Sequence, residues 1–467
     1  MTQLVWFRND LRSADNPALI AACKTDDAVR ACFILTPGQW REHDWSPARV
    51  QFVIEHANAL ARTLARLGIP LTFLYSDRFD DSQDLLMDHA REHRITRIHF
   101  NEEYGINERR RDKTLKQRVA DLPIELSKYR DQTVAPVGDI RTGQGDPYSV
   151  FTPFSRRWRS WIEENSPQPF PIPTARGDAI KPDQIEDIPD GFREAPPALV
   201  KTGEDAAHSQ LENFLQKQAG AYKDQRDFPA IDGTSQLSPY LANGVLSGRQ
   251  CLLAARQAQG MGGNQEGLAT WTNEIAWRDF YIHILYHYPR VSMHRAFKPE
   301  TEALDWNTPG DTFEAWKEGR TGIPIVDAAM RQLNETGWMH NRLRMVTAMF
   351  LTKNLFIDWR LGEAYFMSKL VDGFLASNNG GWQWSASTGT DAAPYFRVFN
   401  PVTQSERFDP DGDFIRQWVP ELAKLDGKRI HDPGAKGGVI PKGYPRPIVD
   451  LKESRKEAIA KFQALKD

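Results

Sequence analysis

Four stretches in the C-terminal half of this 467-residue chain carry residue types that could do chemistry. The first runs from Tyr222 to Ser238, where Thr234, Ser235 and Ser238 place hydroxyls around one turn after Gly233. Hydroxyls and free backbone N–H groups at a helix start suit a phosphate. The same residues also make ordinary helix caps, so both readings stand. The second runs from Trp271 to Tyr281. Wound as a helix, it sets Trp271, Glu274, Trp277, Arg278 and Tyr281 along one face and Ile275, Phe280 and Ile282 on the other. Trp, Glu and Arg together make a poor core, because buried charge needs a partner. Such a face suits an aromatic, hydrogen-bonding ligand such as a base; a Glu–Arg pair over an exposed aromatic is the plain alternative.

The third stretch, Gly337 to Met345, puts Asn341 and Met345 one helical turn apart, with Arg342 and Arg344 at other azimuths. Arg342 could meet a phosphate while Arg344 pairs inward with a carboxylate. His340 has no second His or Cys at ligand spacing, so it reads as a hydrogen-bonding residue and no metal site is expected. The fourth, from Asp372 to Trp384 and on to Arg397, mixes glycines with Asn378 and Asn379. Glycine lets a backbone approach a ligand closely. If this segment is extended, Trp382 and Trp384 alternate around Gln383 and only one of them can face a given ligand. Arg226, Arg342, Arg344, Arg397 and Arg407 could line a surface facing nucleic-acid phosphates. Arg156, Arg157 and Arg159, set among aromatics, read as a solvated face.

The elements that must position these residues differ between the two halves. In the first ~130 residues, short apolar runs alternate with helices. Leu4 to Phe7, Ala31 to Leu35, Leu71 to Tyr75 and Ile98 to Phe100 read as buried parallel strands. Ser46 can cap a helix that Pro47 opens and Gly68 and Pro70 stop. A doubly wound α/β domain follows, without the GxGxxG fingerprint of dinucleotide sites. Eight prolines between residues 166 and 197 mark a long surface connector. Beyond it helical patterns dominate. The expected division is an α/β domain over 1–131, a linker over 132–205 and a mainly α-helical domain over 206–467.

Composition narrows the class. Hydrophobic residues are 40% and charged residues 26%, the balance of a globular protein. The formal net charge of -3 argues mildly against nucleic acid, but phosphate contact needs only one basic face. Three cysteines without CxxC pairing point to a reducing cytoplasm. The charged N-terminus does not resemble a signal peptide, and no apolar run reaches the ~18 residues of a membrane span. Fourteen tryptophans exceed what burial alone requires and hint at stacking or electron transfer.

These motifs, in this order, resemble the photolyase/cryptochrome family, most closely the bacterial class I cyclobutane pyrimidine dimer photolyases. The matching stretches are Leu4 to Arg12, Tyr222 to Ser238, Trp271 to Tyr281, Gly322 to Leu333, Gly337 to Met345 and Asn378 to Arg397. The resemblance implies reduced FAD held in the helical domain. Tyr222, Thr234, Ser235, Gln236, Leu237 and Ser238 would hold its phosphates. Trp271, Glu274, Arg278, Asn341, Arg344, Asp372, Gly373, Phe374 and Asn378 would surround the rest, with Asn378 facing flavin N5. It implies UV-damaged DNA as partner, with the dimer flipped out of the stack. Trp277 and Trp384 would wall the lesion, Glu274 and Asn341 would bind its base edges, and Met345 would pack below. Arg226, Arg342 and Gln404 would meet the backbone, beside Arg278 and Tyr281. Light would drive an electron from FADH⁻ to the dimer and back, with Glu274 steadying the radical anion. Trp306, Trp359 and Trp382 match the family's electron relay.

Asn107 and Glu108 match positions that contact a methenyltetrahydrofolate antenna, although Met293 stands where relatives carry a lysine. A deazaflavin, a second flavin or an empty cleft remain open. Phe374 also departs, replacing the second aspartate of an Asp-Gly-Asp. A cryptochrome-like photoreceptor and a 6-4 photolyase are the rivals. Asn378, where plant-type cryptochromes carry Asp, speaks against the first. Asn341 and Met345, where 6-4 enzymes carry histidines, speak against the second. A monomer without an obligate protein partner or membrane attachment is expected.

Overall fold

The computed structural model describes residues 1–465. In chain order it builds β1 (Thr2–Phe7), α1 (Pro17–Cys23), β2 (Ala28–Leu35), α2 (Pro37–Glu42), α3 (Pro47–Arg66), β3 (Leu71–Tyr75), α4 (Phe79–Glu92), β4 (Ile95–Asn101), α5 (Ile106–Arg118) and β5 (Glu125–Tyr129). There follow α6 (Phe151–Asn165), α7 (Glu204–Lys217), α8 (Tyr222–Gln225), α9 (Ser238–Ala242), α10 (Gly248–Gly260) and α11 (Gln265–His287). The last helices are α12 (Asp311–Lys317), α13 (Pro324–Thr336), α14 (Asn341–Met349), α15 (Trp359–Met367), α16 (Leu375–Ala386), α17 (Pro401–Phe408), α18 (Asp413–Trp418), α19 (Gly427–His431) and α20 (Leu451–Gln463). The chain divides into two compact units. The first holds Met1–Gly220, Ser235–Pro289 and Val371–Phe374; the second holds Ala221–Thr234, Arg290–Leu370 and the chain from Leu375 onward.

In the first unit the five strands form one parallel sheet in the order β3-β2-β1-β4-β5. The apolar runs read from sequence supply four of them. Leu4, Val5, Phe7, Ala31, Leu35 and Ile98 are buried, as a sheet covered on both faces demands. The fifth strand, β5, was not expected. Its Glu125 and Lys128 are exposed, so it carries no apolar run; backbone bonds to β4 make it an edge strand. Ser46 caps α3 by accepting from Arg49 N, Pro47 opens it, and Gly68 adopts φ +73° beyond its end, as the sequence implies. The strand order reverses between β1 and β4, which brings the loops after both strands to one carboxyl edge of the sheet.

A charged knot locks this unit. Arg12 bonds Asp131 at 2.5 Å, and Arg249 bonds Asp131 at 2.6 Å and Asp15 at 3.0 Å, all buried. Burial pushes Asp131 up, but Arg12 and Arg249 outweigh it and hold its carboxyl below the usual range. The proline-rich connector is extended and largely exposed from 166 to 203, but the segment before it is not: Phe151–Asn165 is α6. Trp158 on that helix is 1% exposed and donates Nε1–H to Asp279 at 2.8 Å.

The second unit is helical. Trp316, Met330, Leu333, Leu343, Phe350, Trp359 and Trp382 lie in one hydrophobic core. Between α14 and α15 the chain widens into a π-helical turn, Phe350–Asn354, which buries Lys353 completely. No described helix of either unit is long and apolar enough to cross a membrane.

Candidate functional site

The first unit contributes α11, a 23-residue helix capped by Asn264. Glu274, Trp277, Arg278 and Tyr281 are half-buried along one side, and Ile275, Phe280 and Ile282 are buried on the other, as the periodicity requires. Trp271 departs from that expectation. It is 3% exposed and packs against Phe214 of α7 at 5.2 Å, because α7 covers this end of the helix. Trp277 is clamped: Phe151 stacks on it at 3.5 Å with 8° between the planes, and Tyr281 lies 5.6 Å away. An indole held this way is a rigid wall for a stacked base. Arg278 donates to the carbonyls of Gln132 and Leu241, and its guanidinium lies 5.4 Å from the Phe374 ring. Burial lowers its pKa.

Asp279 escaped the sequence reading. It is fully buried and accepts from Val134 N, Ala135 N and Trp158 Nε1. Burial pushes its carboxyl up to about 6. It fixes α11 to α6 and to the chain around 134, so it orients the helix that carries Glu274 and Trp277.

The turn before α9 carries the hydroxyls of Thr234, Ser235 and Ser238. Leu237 occupies the cap position and makes no side-chain hydrogen bond. Ser238 is exposed, and neither its hydroxyl nor that of Ser235 is bonded among the described residues. Gln236 takes φ +49°. The hydroxyls therefore do not cap α9. Asp372 and Gly373 are buried and Phe374 is half-buried.

At the carboxyl edge of the sheet a small cavity of about 50 Å³ is lined by Trp6, Arg8, Trp40, Glu103, Glu108 and Arg111. Its charges are paired: Arg8 with Asp112, and Arg111 with Glu103 at 2.8 Å. Burial, opposed by Arg8, raises Glu103 to about 7. Asn107 Nδ2 lies 3.0 Å from His43 Nε2, and the Glu108 carboxylate lies 3.8 Å from the same ring.

In the second unit, His340 caps α14 by accepting from Arg342 N, the hydrogen-bonding role expected of it. Asn341 is exposed at the first turn of α14; Met345 is half-buried one turn on. Arg342 pairs with Asp227 at 2.8 Å and lies 4.4 Å over Phe408, while Arg344 donates Nε–H to Met339 O. Arg226 and the buried Tyr222 stack at 5.9 Å, Thr234 is half-buried beyond them, and Gln404 is half-buried on α17.

The stretch from Asn378 to Trp384 is a helix, so the alternation of an extended segment does not apply to Trp382 and Trp384. Buried amides hold it. Asn379 donates to Glu363 Oε1 and to Val291 O, and Gln383 donates to Asn379 Oδ1 and accepts from Phe297 N. Asn378 donates Nδ2–H to Glu363 O at 3.0 Å, which leaves Oδ1 as its acceptor end. The helix also seats Trp382, 2% exposed, 4.9 Å from Phe366 and 6.0 Å from Trp316. A Cβ at Gly362 would lie 2.1 Å from the Trp382 ring, so only glycine admits this indole. Trp359 shares the core, Trp306 packs against it, and Trp384 faces Phe399 at 6.4 Å. Trp382 Nε1 has no hydrogen-bond partner among the described residues.

Two family models match the chain: DNA photolyase over residues 3–174, and the FAD-binding domain of DNA photolyase over residues 271–464. The deoxyribodipyrimidine photo-lyase of Escherichia coli is 46% identical over 99% of this chain and 98% of its own length. A bacterial class III photolyase from Agrobacterium tumefaciens superimposes with TM-score 0.88 at 34% identity, covering 100% of this chain and 98% of that one. A Synechocystis cryptochrome superimposes with TM-score 0.87 at 28% identity, covering 98% of both. The fold and its FAD-binding helical part thus define a photolyase-type flavoprotein. The chain belongs to the DNA photolyase family.

Proposed function

We propose that this chain is a deoxyribodipyrimidine photolyase: it splits cyclobutane pyrimidine dimers in UV-damaged DNA with light and FAD. The amide of Asn378 carries the reading. One of its two N–H groups is engaged by Glu363 O and its Oδ1 remains as an acceptor, which suits a flavin nitrogen that bears a proton. That favours the reduced flavin over the oxidised one. When bound, FAD supplies the light-excited electron. The open hydroxyls of the turn before α9 fit its phosphates.

The chain's own residues do the rest. Trp277, made rigid by Phe151, and Trp384 wall the flipped lesion, and Met345 packs against it. Glu274 and Asn341 bind the base edges. Arg226, Arg342 and Gln404 meet the phosphate backbone, with Arg278 and Tyr281 beside them. Trp306, Trp359 and Trp382, all in or against one core, deliver an electron to oxidised flavin. Asn107 and Glu108 bind a folate antenna. The enzyme acts in the cytoplasm as a monomer, its antenna in residues 1–131 and its flavin and DNA chemistry in 206–467.

The test is an oligonucleotide holding one thymine dimer, incubated with the reduced protein in blue light and in darkness. Thymine absorbance recovers only in light if the proposal holds. No recovery in light, with reduced flavin bound, sinks it and favours a photoreceptor or another lesion.

A further inference from the structure

The last turn of α4 brings three metal-ligating side chains together. His89, Glu92 and His93 stand at i, i+3 and i+4, which places them on one face of the helix end. One donor atom from each lies within 4.8 Å of the other two. The two imidazoles meet at 4.5 Å between centroids, with 69° between their planes.

A second observation separates this group from a chance surface cluster. His89 is only 5% exposed, yet its buried Nε2 has no hydrogen-bond partner among the described residues. Nearly all buried polar atoms have one, and a ligand is one way to satisfy an orphan. The cluster also sits at the carboxyl end of α4, where His93 is the cap residue and the helix dipole favours a cation. The Arg30 guanidinium opposes a cation; the Glu92 carboxylate offsets it.

We propose that His89, Glu92 and His93 form a binding site for a borderline-soft divalent cation of the zinc class, with water completing a four-coordinate shell. Calcium and magnesium prefer all-oxygen ligands and are poor candidates. Zinc bonds of about 2.1 Å require the donors to draw in from their present spacing. Glu92 is exposed and His93 half-buried, so both can swing toward the fixed His89. The site is remote in sequence from every residue assigned to flavin or DNA. Its occupant would clamp the end of α4 against unravelling.

Chelator-treated full-length protein, flavin retained, is titrated with zinc chloride by calorimetry, alongside His93→Gln, Glu92→Gln and His89→Gln. Wild type is expected to bind one zinc whose affinity falls at least about tenfold in each variant, the loss that even an outer-shell partner causes. Zinc should also raise the thermal midpoint of wild type and not of His93→Gln. The surface variants keep the test valid if His89→Gln fails to fold. The proposal is overturned if wild type shows no saturable binding, or if His93→Gln binds zinc as tightly as wild type.

Discussion

Two regions of the molecule fill their polar interiors in opposite ways. The first uses full charges in opposed pairs: Arg12 and Arg249 converge on Asp131, and Arg8 and Arg111 neutralise Asp112 and Glu103. The second, around α16, uses neutral dipoles and indoles: Asn378, Asn379, Gln383, Trp359 and Trp382, with Glu363 as the one carboxylate bonded among those amides. Even its buried lysine conforms. Lys353 donates to Ala386 O and sits 3.6 Å from the Phe462 ring, and burial drives its pKa well below the ordinary value. Paired charges fix geometry but create steep local fields. An interior that passes an electron along tryptophans is better served by groups that trap no charge.

The largest effect should come from breaking a charge pair in the first unit. Asp131→Asn leaves Arg12 and Arg249 buried with Asp15 alone between them, and should cost about 3–5 kcal/mol in chemical denaturation. A loss below ~1 kcal/mol would mean that the knot is solvated and the contrast is wrong. Next, Gly362→Ala drives a methyl into the Trp382 ring, an overpacking worth about 1–3 kcal/mol. It should slow flavin photoreduction as the indole shifts; unchanged photoreduction would show that the position of Trp382 is not critical.

A subtler effect tests Asp279, whose folded pKa is raised from 3.8 to about 6. Between those values the native state binds more protons than the unfolded one, so this group's stabilising share is full below the lower value and lost as pH climbs through the upper. In Asp279→Asn that loss disappears. The stability of the variant relative to wild type should therefore rise from pH 4 to 6 and then level. A flat difference would mean that Asp279 titrates normally. The smallest effect belongs to Lys353→Met. If the amine is already neutral, an unbranched apolar replacement should cost less than about 1.5 kcal/mol. A cost nearer ~3 kcal/mol would reveal a charged, paired ammonium.

What could be read from sequence follows the same divide. Strands β1 to β4 and helix α3 were legible because apolar period and caps are local signals. Strand β5 was not, because its residues are polar and only its pairing with β4 makes it a strand. The knot of Arg12, Asp15, Asp131 and Arg249 was invisible because its bonded partners lie up to 234 residues apart. The helical form of α16 was hidden by Gly380 and Gly381, since what holds it is a set of tertiary amide bonds. The proposed site residues were named through motif order. Their supports, Phe151 behind Trp277 and Asp279 behind α11, needed coordinates.

In the proposed function the helical interior delivers electrons to the flavin, while dimer splitting needs only the flavin once reduced. Trp382→Phe tests it most directly. Flavin photoreduction and dimer repair by chemically reduced enzyme would be measured side by side in variant and wild type. Photoreduction should be abolished and repair left nearly intact. Equal loss of both would contradict the claim and make Trp382 a residue of the fold alone.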